Sequence, residues 1–419
     1  MTILSKFFQH TAQPFRHYFP FLPLSLCLSL CIVLSACGDS AQQENKGAKQ
    51  KTDASENKLD SARQDSLKVD SGYTLAAQPP DSPVLDLMVP PDTLRALYVN
   101  RWAAMGRKVW NLVEVAKTTE INALVIDVKD DRGLTLYQSD IAIAKEIGAG
   151  ADGHAMSRAR LKTLMDSLRA NNIFAIARIV VAKDPLLAIK KPEWSIRKKA
   201  DSSQPWHDKK GRPWLDPHHL EVWQYATDLG MEALSLGFSE VQFDYMRFPD
   251  EDGLKKQATF PLAAGRRREE VIRQQLDTCQ KQFHAVGARL TGDVFGLTST
   301  AIDDMGIGQK WESFVDKLDV VLPMSYPSHY ARQSYGLANP NANPYETIKH
   351  SIGDCIRRSA GVPGAAKLMP WYQDFTLGKP RYGKAEVRAQ IQAGYDLKVY
   401  DWVLWNPSSN YTIEALEAR

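Results

Sequence analysis

The residues in this chain best suited to chemistry are acids that end apolar runs. The stretch Glu240-Val241-Gln242-Phe243-Asp244-Tyr245-Met246-Arg247-Phe248-Pro249 opens as a buried strand, Val241–Phe243, then presents an acid and a base. Proline has no N–H for a ladder, so the strand is predicted to stop by Pro249. Ala123–Asp131 (ALVIDVKDD) and Arg289–Gly296 (RLTGDVFG) have the same build and present Asp127 and Asp293. Paired carboxyl groups suit displacement at an acetal carbon, where one attacks or directs water and the other protonates the leaving oxygen. If Asp244 and Asp293 end neighbouring strands about 4.8 Å apart, their carboxyls stand roughly 5–6 Å from each other, near the separation that gives retention. Asp127 with Asp244 would span a wider gap, which suits inversion. Asp244 is expected as nucleophile and Asp293 as acid/base, with Asp127 the third catalytic candidate. Two structural readings compete: an Asp244–Arg247 ion pair closing a strand end, and Asp293 as a cap on nearby backbone.

Other strand ends carry groups that bind hydroxyls or flat apolar faces. Lys129, Arg178, Arg247, Gln373, Asp374 and Asn406 are candidate polar contacts for a substrate; Tyr326, Trp371 and Trp405 are candidate platforms. Tyr245 and Tyr372 also fall at strand ends. Any of these rings could instead be core, given their apolar area. Residues 185–217 form a long loop with Trp194, Trp206 and Trp214 among eight lysines and arginines. Such loops are usually lids or binding loops, and basic-plus-aromatic character would suit an acidic or long polysaccharide. A solvated basic loop is the alternative. No metal or cofactor is expected: there is no H-E-x-x-H, P-loop or dinucleotide fingerprint. Nor is there a G-x-S-x-G elbow.

The elements that must position these groups alternate. Apolar strands are read at 95–102, 123–131, 174–184, 240–249, 289–296, 319–327, 366–375 and 400–407. Helices are read at 107–118, 157–170, 220–236, 266–286, 345–359 and 384–393. Continuous apolar runs are the mark of parallel strands covered on both faces, and eight strand–helix units over residues 84–419 predict one α/β (β/α)8 TIM barrel. An open doubly wound sheet is the competitor, disfavoured because no glycine-rich phosphate turn follows the first strand.

Composition agrees with a globular domain, and a net charge of +3 gives no reason to expect nucleic acid as a partner. Residues 1–36 read as a signal peptide, with Lys6 and Arg16 ahead of an apolar run from Phe19 to Ala36. Leu34-Ser35-Ala36-Cys37 resembles a bacterial lipobox, which implies cleavage before Cys37 and a lipid anchor on it. Gly38, rather than Asp, is compatible with an outer-membrane destination. A transmembrane anchor is the alternative, since the run is near spanning length. Either way the bulk of the chain is expected to be exported, held in the cell envelope. Residues 37–83, polar and almost without aromatics, are expected to be a disordered tether. Cys279 and Cys355 are the cysteines left in the folded part, and the sequence leaves open whether they pair.

Several stretches resemble a family of bacterial glycosyl-hydrolase-like TIM barrel domains. They are ALVIDVKDD (123–131), IARIVVAKDP (177–185), GFSEVQFDYMRFPDE (237–251), GDVFG (292–296), VLPMSYPSHY (321–330), PWYQDF (370–375) and VLWNPSSNY (403–411). The resemblance spans essentially all of residues 84–419. It implies a barrel related to α-amylase and α-galactosidase type glycosidases, with Asp244 matching the carboxylate at the end of the fourth strand. The function expected is hydrolysis of O-glycosidic bonds in an envelope or extracellular polysaccharide. The alternatives are a glycan-binding barrel without catalysis and a metal-assisted phosphodiesterase or deacetylase.

Overall fold

A computed structural model of the chain describes residues 85–419, apart from 152, 154 and 252. The signal segment 1–36, the lipidation candidate Cys37 and the tether 37–83 lie outside the described residues. Eight strands form the centre: β1 (Arg95–Val99), β2 (Ala123–Lys129), β3 (Phe174–Val180), β4 (Glu240–Asp244), β5 (Leu290–Phe295), β6 (Val320–Met324), β7 (Trp371–Gln373) and β8 (Trp402–Trp405). Each pairs in parallel with the next, and β8 returns to β1 through Arg95↔Trp402 and Leu97↔Leu404. The sheet therefore closes into a (β/α)8 TIM barrel. Long helices follow most strands: α1 (Lys108–Thr118), α2 (Arg158–Ala170), α3 (Leu220–Ser235), α4 (Arg268–Ala285), α5 (Pro344–Ser359) and α6 (Lys384–Asp396). After β5 the helix shrinks to Trp311–Phe314.

Strand side chains alternate between two cores, as a two-residue period requires. On β2, Leu124, Ile126 and Val128 pack outward with the helices, and Ala123 and Val125 pack inward. On β3, Ala175, Ala177 and Ile179 go outward, and Phe174 and Ile176 inward. Burying each large aliphatic side chain of this kind stabilises the barrel by about 1.5–3 kcal/mol. Continued toward the strand C-termini, the inward set becomes Asp127 on β2, Arg178 on β3, Gln242 and Asp244 on β4, Asp293 on β5 and Trp371 on β7. The barrel is thus apolar low in its interior and charged at its C-terminal mouth. Register fixes the neighbours: Asp127↔Arg178 and Arg178↔Gln242.

Several boundaries differ from the sequence reading, each for a local reason. β1 stops at Val99 because Asn100 caps a short helix, Arg101–Met105, by accepting the Ala103 N–H at 2.8 Å. β4 stops at Asp244, well before Pro249, because Tyr245 takes a left-handed conformation with φ 51°. The seventh stave is broken: Lys367–Leu368 pairs with Val320–Val321, and the chain resumes pairing at Trp371 after Pro370. The loop 185–217, read as a lid or binding loop, carries a small core of its own. Trp206 and Trp214 are buried in a small core with Ile196, Leu254 and Ala258, and Arg197–Lys198 pairs with Ala258–Thr259. Cys279 and Cys355 are both buried and both free thiols.

Candidate active site

Arg178 is the hub of the barrel mouth. Its Nη1 donates to Asp127 Oδ1 at 2.5 Å, its Nη2 to Asp244 Oδ2, and its Nε to Asp293 Oδ2 at 3.3 Å. Three strands therefore contribute one acid each to a guanidinium on a fourth. Each acid has further fixed donors. Tyr98, inward on β1, gives its hydroxyl to Asp127 Oδ2 at 2.5 Å. The Tyr245 N–H turns back onto Asp244 Oδ1 at 2.5 Å, which is what its left-handed φ accomplishes. Asp293 Oδ1 accepts from Trp371 Nε1 at 2.6 Å and from Gln242 Nε2 at 2.8 Å.

Three acids against one cation, all nearly out of contact with water, cannot all hold charge cheaply. Burial pushes the Asp293 carboxyl up to about 8, aided by the adjacent Asp244 and opposed by Arg178. Burial likewise lifts Asp127 to about 6, with Arg178 and Tyr98 pulling the other way. Both shifts favour the protonated acid, and the shift is larger at Asp293 than at Asp127. Its Oδ1 is already occupied by two N–H donors, which leaves Asp293 Oδ2, 3.3 Å from Arg178 Nε, as the oxygen to carry a proton.

Above the cluster opens a hollow of about 260 Å³ whose lining includes Arg178, Asp244 and Asp293. Aromatic rings form much of its wall. Tyr326 and Trp405 stack with centroids 5.0 Å apart, and Phe375 stands edge-on to Trp405. Trp371, Phe295 and Tyr330 also line the hollow. His329 also lines the hollow; burial holds its imidazole below the usual range, so it is neutral at pH 7.

Of the residues singled out from the sequence, Asp244, Asp293, Arg178, Arg247, Tyr245, Tyr326, Trp371 and Trp405 line this hollow. Arg178, expected to meet substrate hydroxyls, has donors on all three nitrogens committed to the acids. Asp127 lies behind it, between Tyr98 and the guanidinium. Four expected substrate contacts sit elsewhere, each held by protein. Lys129 is buried in an ion pair with Asp184 at 2.7 Å. Gln373 accepts the Ser328 N–H at 3.0 Å and donates to Phe375 O at 2.9 Å, tying the loop after β6 to β7. Asp374 accepts from the Thr412 backbone and hydroxyl at 2.8 and 2.7 Å. Asn406 donates to Asp374 O at 2.6 Å and accepts the Ser408 N–H at 2.9 Å. Tyr372 faces the helices, opposite to Trp371, as strand parity requires. Tyr98, Gln242 and His329 were not anticipated; parity from Asp244 back to Gln242 was the available signal for one of them.

Residues 96–411 match the family model described as "Putative glycosyl hydrolase domain". The chain belongs to this glycosyl hydrolase family. Membership makes it glycosidase-like, with a carbohydrate as the substrate class. Among solved structures, the glycoside hydrolase domain of PgaB (BpsB) from Bordetella bronchiseptica aligns at 14% identity and TM-score 0.51, over 76% of this chain and 95% of that one. At that identity the likeness speaks to the fold. A hypothetical protein from Ruminiclostridium thermocellum ATCC 27405 is 32% identical over 50% of this chain and 98% of its own, with TM-score 0.42. No curated protein matches.

Proposed function

We propose that the chain hydrolyses O-glycosidic bonds of an envelope or extracellular polysaccharide, with Asp293 as general acid and Asp244 as nucleophile. The observation carrying this reading is that Asp244 and Asp293 meet on one guanidinium and both line an aromatic-walled hollow, with burial raising the Asp293 carboxyl. Asp293 gives its Oδ2 proton to the glycosidic oxygen as Asp244 bonds to the anomeric carbon. Water then breaks that ester, and Asp293 takes a proton back. The two carboxyls bond to Nε and Nη2, which share one edge of a single guanidinium, so their separation falls on the short side, near the about 5 Å of retaining enzymes. The N–H groups of Trp371, Gln242 and Arg178 are already aimed at Asp293 and stabilise it once it ionises. Asp127 anchors Arg178. The envelope setting and a lipid on Cys37 rest on the sequence of residues 1–37.

One feature favours a second reading, a glycan-binding barrel without catalysis: Arg178 pairs with all three acids at once, as a structural ion-pair network would. Asp244→Asn and Asp293→Asn separate the two. For the hydrolase, each variant loses about 10²–10⁴-fold in reducing-end release and keeps glycan affinity. If purified wild-type protein binds glycan and both variants match it in every measured property, the binding reading stands.

A further inference from the structure

Arg247 and Tyr245 also line the hollow. The Arg247 side chain is 7% exposed and lies against three rings, 4.9 Å from the Tyr245 centroid, 5.6 Å from Trp214 and 5.9 Å from Phe295. Among the described residues, its Nη1 donates to Phe248 O at 3.0 Å and to Asp250 Oδ1 at 3.2 Å, and no other hydrogen bond engages the guanidinium. Its Nε is buried and has no partner among the described residues. An unpaired buried donor costs about 1–3 kcal/mol, and the Nε–Nη2 edge of a guanidinium is the fork that accepts a carboxylate bidentately.

A second observation lies on the same lobe. Trp214, which packs on Tyr245 and Arg247, shares its small core with Leu254 and Ala258. The outer side of that core is the Arg197–Lys198 and Ala258–Thr259 pairing, extended by Lys199 N–H to Gln257 O at 2.8 Å. It brings exposed Lys198 and Lys199 beside exposed Lys255 and Lys256, none of them ion-paired among the described residues. Residues 185–217 hold eight basic against four acidic side chains.

We infer that the glycan this site takes is acidic, built of sugars bearing carboxylates, with Arg247 gripping one carboxylate inside the hollow and the lysine face holding the polymer beyond it. This rests on the hydrolase reading for the role of the hollow, but it is tested by binding alone. The full chain carrying Asp244→Asn is titrated with polygalacturonate, alginate and hyaluronate, each beside its carboxyl-reduced, neutral counterpart. At least one acidic polymer binds, carboxyl reduction weakens it by about tenfold or more, and affinity falls steeply as salt is raised. Replacing Lys198, Lys199, Lys255 and Lys256 together by Gln, all at the surface, flattens the salt dependence. Arg247→Gln removes the preference for the unreduced polymer; should that variant fail to fold, the lysine variant and the reduced polymers decide. Equal affinity for native and reduced polymers, or no binding to any acidic one, overturns the inference. Wild-type cleavage of neutral glycans with no acidic preference would sink it and leave the hydrolase reading intact. Acidic binding without cleavage by wild type would do the reverse.

Discussion

Asp293→Asn is the substitution that tests the site most directly, because its effect on stability depends on pH in a calculable way. Asp293 is pushed up to about 8 and its neighbour Asp127 to about 6. In the unfolded chain an Asp releases its proton near pH 4. From there upward the folded protein holds a proton the unfolded chain lacks, so stability falls as pH rises, until Asp293 itself ionises near 8. Asp127 contributes a slope of the same sign, but only to about pH 6. The window from about pH 6 to about pH 8 therefore isolates Asp293, and at about 1.4 kcal/mol per unit, less near the midpoint, it amounts to about 2 kcal/mol. Asn keeps an acceptor for Trp371 and Gln242 and cannot titrate. Urea unfolding of wild type and variant at several pH values across the window gives the difference in slope. The wild type is expected to lose about 2 kcal/mol more than the variant, and its kcat/KM to fall above about pH 8, where the acid is spent. Parallel stability curves would mean Asp293 is already ionised at neutral pH in the fold, and the general-acid assignment would fail with it.

Three further substitutions or reagents probe the scaffold around the site. Lys129→Met leaves Asp184 buried without its cation and should cost about 3–5 kcal/mol, seen as a lower urea midpoint, while KM of the folded fraction stays at the wild-type value; a raised KM would put Lys129 back in contact with substrate. Gly296→Ala would place a methyl 2.3 Å from the Met324 carbonyl oxygen, so β5 and β6 must part, with a loss of about 1–3 kcal/mol or more and lower activity; a variant of unchanged melting temperature would contradict that packing. Cys279 and Cys355, buried with thiols pushed up to about 12, should resist a thiol reagent until denaturant is added, and intact mass should show two reactive thiols from this pair after unfolding. Fast labelling of the native chain would show that one of them is accessible.

The barrel was legible because its strands are continuous apolar runs with turn residues between them, a pattern that needs no tertiary knowledge to read. The site was legible as far as strand ends go: Asp244 and Asp293 do meet over one guanidinium, and Trp371 and Trp405 do face the hollow. What the sequence withheld was which partner each polar group had already taken. Lys129 stands two residues after Asp127 in sequence, but a bulge between them pairs it with the outward-facing Ile179, and Asp184, 55 residues on, claims it. Gln373, Asp374 and Asn406 look like a ligand-binding rim and instead fasten loops, through partners such as Ser328 and Thr412 that no local pattern connects to them. Tyr372 could have been excluded from the hollow by parity alone, since Trp371 beside it points in. Conversely, the loop 185–217 was read as basic-plus-aromatic, but two of its tryptophans, Trp206 and Trp214, fill the small core that the excursion needs in order to fold.

The charge balance of the mouth connects the fold to the proposed reaction. With Asp127, Asp244 and Asp293 all ionised around Arg178, the cluster would carry two negative charges in excess inside a nearly water-free pocket. A proton on Asp293, which burial favours, would relieve that state at rest. Cleavage requires Asp293 to release that proton to the leaving oxygen at the moment the sugar ring becomes oxocarbenium-like and positive. The same step that makes the cluster more negative thus creates the cation that compensates it, while the donors of Trp371, Gln242 and Arg178 hold the new carboxylate in place. A site whose acid ionises only as the sugar turns positive is complementary to the transition state rather than to the neutral substrate, which is the condition for lowering the barrier and not merely for binding.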